Sequence, residues 1–247
     1  MMLDAGRHGP RLWHAAALAS LVSAAVLAGC GDSVGARDDS FDVVFDFSND
    51  YQGWVPGFVD YPVGKEAEWA IGSSLAPLPA PLDPTRNGIL LTGANHSDDL
   101  FMYVTREGPT LAPNASYLIR YRVTVATNAP KNCAGIGGAP GESVVLKVGA
   151  TPVEPVRIID AAQYYRANFD HGPQLVGGRD ALPVGNIATS NTNCALPRYE
   201  LKAFDSAPLT VATSTSGRLW LVVGVDSGFE GTTAVYITSV RVAIKPA

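Results

Sequence analysis

Three short polar runs hold most of the side chains in this 247-residue chain that could do chemistry. Asn95-His96-Ser97-Asp98-Asp99 sets two carboxylates beside an imidazole and an amide, directly before the apolar run Leu100–Val104. Asn168-Phe169-Asp170-His171-Gly172, with Gln174 following, repeats the amide–acid–imidazole combination. Asp226-Ser-Gly-Phe-Glu230 carries acids at i and i+4 around a glycine. Oxygen-rich sets of this kind suit sugar hydroxyls or a hard cation such as calcium. A polar turn uses the same side chains to hold its own backbone amides. Each run borders a strongly apolar strand or turn, so its polar groups need partners or water. We expect the three runs to converge on one face of the fold, with Asn95, His96, Asp98, Asp99, Asn168, Asp170, Asp226 and Glu230 as ligand-binding residues. The competing reading is three unrelated solvated turns.

Several chemistries are excluded or weakened by inventory. The net charge of −5 leaves no basic field for nucleic acid phosphates. Gly135-Ile-Gly-Gly-Ala-Pro-Gly141 contains G-x-G, but Pro140 and the strand-like run after it deny the helix that nucleotide binding needs. Beyond residue 30 the only histidines are His96 and His171, too few for the usual zinc sets. No Ser-His-Asp order or G-x-S-x-G elbow is present, and the 226–230 loop lacks EF-hand spacing. No catalytic residue is therefore assigned, and the metal, if any, stays undetermined. A hydrolase using a carboxylate pair such as Asp99 and Asp226 is the enzymatic alternative, and it requires the pair about 5–10 Å apart in an open cleft. Trp54 and Trp69 flank a loop region and offer sugar-stacking platforms, with Tyr164-Tyr165 as a further aromatic pair. Trp220, inside an apolar strand, reads as core.

The elements that must position these residues read as strands. Ser116–Thr127 (SYLIRYRVTVAT) alternates Tyr117, Ile119, Tyr121, Val123 and Val125 against Arg120, Arg122 and Thr124, the period-2 mark of a half-buried strand. Gly217–Asp226 reads as a strand with both faces largely covered, Ala234–Lys245 is strand-like to the end, and Phe41–Phe47 opens the domain with β-branched and aromatic residues. Weaker candidates are Gly88–Thr92, Asp99–Arg106, Ser143–Gly149 and Arg198–Ala203. Turn signals at 85–88, 111–114 and 137–141 separate them. Val156–Ala167 comes nearest to a helical period and is the one place where a short helix is expected. Charged residues at 17% lie below the roughly 25% of an average globular domain, which argues against coiled-coil and disordered classes. The fold class is all-β, a single sandwich or barrel.

The first residues read as an address. Arg7 and Arg11 precede the apolar run Ala15–Ala28, which is too short to span a bilayer but suits a signal-peptide core. It ends in Leu27-Ala28-Gly29-Cys30, which resembles the lipobox of bacterial lipoproteins. The resemblance implies that residues 1–29 are a cleaved signal peptide and that Cys30 is acylated, so that the partner is a lipid bilayer. Residues 30–40 then form a flexible tether, and residues 41–247 form the domain. In such lipoproteins Asp directly after the Cys retains the protein at the inner membrane; Gly31 here implies outer-membrane sorting. Gly31-Asp32-Ser33 matches the opening of the GDSL esterase block, but it lies within the tether and lacks a suitably placed His. Once Cys30 is acylated, Cys133 and Cys194 are the two cysteines left in an exported chain, and we expect them to form a disulfide.

The opening Asp46-Phe-Ser-Asn-Asp-Tyr-Gln-Gly-Trp54 resembles the first strand and turn of jelly-roll carbohydrate-binding modules, and Ala234–Val242 resembles their last strand. The resemblance implies a galactose-binding-like jelly-roll sandwich whose first and last strands lie near each other, and a glycan as ligand. Ser48 and Thr238 or Ser239 stand where such modules often carry acids that contact a structural calcium, which puts that cofactor in doubt. The blocks NHSDDLFM, GIGGAPGESV and DSGFEGTT are similar to a family of bacterial lipoproteins that implies no activity. The resulting expectation is a lipid-anchored extracytoplasmic protein with a non-catalytic binding role, directed at carbohydrate. A purely structural envelope lipoprotein is the remaining alternative.

Overall fold

The computed structural model describes residues 40–247 apart from residue 98. The expected signal peptide, the acylation site Cys30 and the tether up to residue 39 lie outside the described residues, as does Asp98. Among the described residues every regular element is a strand.

One sheet is built around β15 (Thr232–Pro246), the longest strand. Along one edge β15 pairs antiparallel with β7 (Ser116–Thr127). Along its other edge it pairs first with β5 (Asn87–Ala94) and then with β1 (Phe41–Asp46). β4 (Gly72–Pro77) extends the sheet beyond β5, while β12 (Glu200–Asp205) and β13 (Leu209–Ala212) share the far edge of β7. The first and last strands are thus hydrogen-bonded neighbours. A second sheet of five strands runs β11 (Ala181–Asn186), β8 (Val144–Thr151), β14 (Trp220–Ser227), β6 (Phe101–Glu107), β2 (Val55–Val59). Two antiparallel sheets packed face to face make a jelly-roll sandwich. A small third sheet, β3 (Tyr61–Pro62), β10 (Tyr164–Ala167) and β9 (Arg157–Ile159), pairs only within itself, and its Tyr61 packs into the main core.

The alternation read from the sequence decides which face meets which. Ile119, Tyr121, Val123 and Val125 of β7, with Val240, Val242 and Ile244 of β15, pack against Leu146 and Val148 of β8 and Leu221, Val223 and Val225 of β14. Each such side chain, taken fully out of water, contributes about 1.5–3 kcal/mol before the entropy of ordering it. Tyr121 crosses the core and donates its hydroxyl proton to the Gly149 carbonyl at 2.5 Å. Cys133 and Cys194 are joined by a disulfide, with Cα atoms 5.7 Å apart. It ties the loop after β7 to the loop before β12.

Two expectations are corrected. Val156–Ala167 is not helical: it forms the β9–β10 hairpin. Asp160 drives the reversal by accepting hydrogen bonds from the Ala162 and Tyr164 amides at 2.9 Å each, with Gln163 at φ 62°. A local side-chain acceptor that turns the chain outcompetes a weak helical period. Trp54 and Trp69 are not platforms, since each is 2% exposed. Trp54 meets the edges of Phe45 and Phe47 at ring distances of 5.5 and 6.2 Å, and Trp69 lies against Tyr61.

Candidate functional site

The outer face of the five-stranded sheet carries the chemistry. Because Val144, Leu146, Val148 and Ala150 of β8 enter the core, Lys147 must point outward. By the same alternation Asp226 of β14 and Phe101 of β6 share that face. Gly224 lies directly across from Lys147, and its missing side chain leaves room for Phe101, whose ring atom stands 2.8 Å from where a Cβ would be. Lys147 donates all three protons: to Asp226 Oδ2 at 2.7 Å and to the carbonyls of His171 and Gly172 at 2.8 Å each. Both Lys147 and Asp226 side chains are 0% exposed.

What buries them is the segment after β10. Phe169 packs on Phe101 and Tyr103, joined by Val59 and Val222 in a second apolar cluster outside the main core. His171 stacks on Phe101 with ring centroids 4.4 Å apart and planes at 15°. Its Nε2 lies 3.2 Å from Asp60 Oδ2 and its Nδ1 lies 3.4 Å from Asp226 Oδ2, close charge contacts off the line of a good hydrogen bond. Burial opposes a charge on His171, but Asp226 and Asp60 outweigh it and raise the imidazole to about 9. Asp99 also faces this cluster. Burial, then the negative charges of Asp226 and Asp60, pushes its carboxyl up to about 8, so it is largely protonated at neutral pH. Arg166 completes the group, donating to Asp60 Oδ1 at 2.7 Å and Asp160 Oδ2 at 2.9 Å. Above these side chains lies a shallow cleft of about 280 Å³ lined by Asp60, Asp99, Arg166, Asp170 and His171.

Of the eight residues expected at a shared site, Asp99, Asp170 and Asp226 meet here. Asp226 forms the buried floor rather than the cleft wall. Asp170 spends its carboxylate on the Gly172 and Arg179 amides at 3.1 and 3.0 Å, shaping the loop. Asn95 is buried beside the cluster, donating to the Ser227 carbonyl at 2.7 Å. Asn168 accepts from the Val156 amide and donates to the Glu154 carbonyl, both at 2.9 Å, clipping the hairpin shut. Two fall elsewhere: His96 leaves the cluster for the Glu68 carbonyl, 3.2 Å from Nε2, with its ring against Trp69, and Glu230 pairs by a backbone bridge with Ile136. Among the described residues no group of acids and histidines is arranged to hold a metal ion. Sequence reading missed Asp60, Lys147 and Arg166. Lys147 had a signal, since it is the one charge inside the otherwise apolar VVLKVG.

Phe169 divides the sheet face. Beyond it the face opens into a groove of about 330 Å³ lined by Val55, Gly57, Tyr103, Thr105, Pro155 and Arg157. Gly57 lets the Tyr103 ring lie on the backbone of β2; a Cβ there would stand 2.4 Å from Tyr103 Cζ. The Tyr103 ring is buried, and burial pushes the phenol up to about 12, keeping its proton in place. Its hydroxyl makes no hydrogen bond with the described residues. Arg157 is held rigidly beside it. The guanidinium lies 3.6 Å from the Tyr165 ring centre and donates to the Tyr61 hydroxyl at 2.7 Å. A fixed cation, a free phenol and an apolar rim can hold a polyhydroxylated ligand.

No family model matches the chain, and no curated protein matches it either. Among solved structures it is similar to the CBM22-1 xylan-binding domain from Paenibacillus barcinonensis, at 9% identity and a TM-score of 0.40 over 86% of this chain and 99% of that one. A mannan-recognising carbohydrate-binding module matches at 12% identity and a TM-score of 0.38, over 84% of this chain and 99% of that one. The K1 cleaved adhesin domain of Lys-gingipain from Porphyromonas gingivalis matches at 12% identity and a TM-score of 0.35, again over 84% and 99%.

Proposed function

We propose that this chain is an extracytoplasmic lipoprotein, anchored to the outer membrane through Cys30, whose sandwich binds carbohydrate without cleaving it. The observation that carries the binding reading is the groove at Tyr103 and Arg157. There an unpartnered phenol and an immobilised guanidinium line an open trough of about 330 Å³ on the outer sheet face. Sugar hydroxyls both donate and accept, so a phenol that can do the same beside a multi-donor cation is a fitting pair. Little rotamer entropy is lost on binding, because both side chains are already fixed.

The carboxylate-pair hydrolase fits less well. Asp226 is fully buried and its charge is already met by Lys147, and Asp99 stands within hydrogen-bonding reach of it. A pair in mutual contact leaves no room for the glycosidic carbon and water that lie between working carboxylates about 5–10 Å apart. The acids of the cleft serve instead to fasten the segment that roofs the sheet. Affinity electrophoresis of the mature protein through gels containing soluble xylan, mannan, β-glucan or pectin tests the reading. Retardation by at least one polysaccharide that is lost in Arg157→Ala supports it, and unaltered mobility in all of them, or release of reducing ends on incubation, counts against it.

A further inference from the structure

On the opposite side of the molecule the seven-stranded sheet presents a second constructed surface. β7 and β15 place Arg122 and Arg241 directly across from each other. Arg120 stands across from Ala243, whose small side chain leaves a hollow. Like charges directly opposite on a sheet repel, and two acids offset part of this. Arg122 Nη1 meets both Asp205 oxygens at 3.1 and 3.0 Å, and Arg241 forms a two-point pair with Asp42 at 2.8 and 2.7 Å. Arg120 has no acidic partner and no side-chain hydrogen bond among the described residues. Lys245 follows on the same face of β15, two residues beyond Ala243.

The break between β12 and β13 explains why the hollow exists. β12 pairs with residues 122–127 of β7 and β13 with residues 116–119, so beside Arg120 and Tyr121 the chain crosses over at Ser206-Ala207-Pro208 without strand side chains. What remains is a pocket of about 290 Å³ lined by Arg120, Arg122, Asp205, Ser206, Arg241 and Ala243. Three guanidiniums line the pocket with one carboxylate, Asp205, while Asp42 holds Arg241 from outside the lining, an excess of positive charge on a chain whose net charge is −5.

We propose that this pocket is an anion site for a phosphate group carried on a larger molecule, distinct from the carbohydrate groove and independent of it. Planar guanidiniums match phosphate oxygens in two-point fashion. Arg120 is the free donor, and Arg122 and Arg241 turn part of their hydrogen bonding from Asp205 and Asp42 to the ligand. The pocket exceeds the volume of a bare phosphate, leaving room for the glycerol or sugar that bears it.

The test is calorimetric titration of the mature protein in uncharged detergent with glycerol phosphate, inorganic phosphate and glucuronate, and separately with nanodiscs of neutral or phosphatidylglycerol-containing lipid. Saturable binding of glycerol phosphate that weakens about tenfold or more in Arg120→Ala, as expected for loss of a charge-assisted contact, and strengthens in Asp205→Asn supports the site. Tighter binding of glycerol phosphate than of phosphatidylglycerol nanodiscs assigns a soluble phosphate ester, and the reverse assigns a lipid headgroup. Glucuronate binding as tightly as glycerol phosphate overturns the phosphate assignment. Equal binding by wild type and Arg120→Ala, or no saturable binding in a chain that unfolds at its normal temperature, overturns the site.

Discussion

Lys147 donates to Asp226 across 2.7 Å in a place where neither side chain is exposed, and its other two protons go to the carbonyls of His171 and Gly172. One ammonium therefore joins two neighbouring strands to the segment lying over them. Burying a charge is costly unless every lone pair and proton is met. Lys147→Met should leave Asp226 with only the poorly aligned His171 as a positive neighbour and release the roof, lowering stability by about 3–5 kcal/mol. Lys147→Met with Asp226→Leu should restore much of that loss. Urea unfolding of the two variants checks both statements.

Stability should fall as pH rises from neutral to about 9.5. His171 is raised from 6.5 to about 9, so its contribution is whole below pH 6.5 and is lost as pH climbs through 9. Asp99 is raised from 3.8 to about 8, so the folded state holds a proton that the unfolded chain has released, and stability declines between those values. Both slopes have the same sign. Asp99→Asn removes one of them and should be more stable than wild type at pH 9. Melting temperatures from pH 6 to 9.5 for the two proteins decide it, and a flat wild-type profile would contradict the reading.

The legible part of this fold was whatever a single strand's alternation could carry. Ser116–Thr127 declared its inward and outward residues, and the flanking polar runs announced that Asp99, Asp170 and Asp226 needed partners. Which partners they found was not legible, because Lys147, Asp60 and Arg166 come from elements far apart in sequence. His96 and His171 look alike as neighbours of acids, yet one turns to a surface carbonyl and the other stacks on Phe101. Trp54 and Trp69 sat beside turns and read as exposed, and only the packing of Phe45, Phe47 and Tyr61 shows that they are core.

The disulfide closes a loop across a sequence separation of 61 residues. In the chain-entropy account this contributes about 4 kcal/mol. Replacing Cys133 and Cys194 together by Ala should lower the unfolding midpoint in urea accordingly, with the slope raised by the longer-reaching unfolded chain. An unchanged midpoint would mean that the loop after β7 is held without the disulfide, by contacts such as the Thr189 amide and hydroxyl that donate to the Ala129 carbonyl at 2.8 and 3.0 Å.

Acylation of Cys30 is checked by growing cells with an alkyne fatty acid. Wild type should take up the label and partition with membranes. Cys30→Ala should do neither, and equal labelling of both would refute the anchor.

The central claim is that the groove at Tyr103 and Arg157 binds a glycan. Its most direct measurement is calorimetric titration of one oligosaccharide, from the polysaccharide that retards the protein most, into wild type, Tyr103→Phe and Asp99→Asn. Loss of a hydrogen bond from the phenol should weaken binding by roughly three- to tenfold, from about 0.5–1.5 kcal/mol, while Asp99→Asn, across the Phe169 divide, should bind as wild type does. Binding unchanged in Tyr103→Phe but weakened in Asp99→Asn would place the ligand in the acidic cleft and contradict the account.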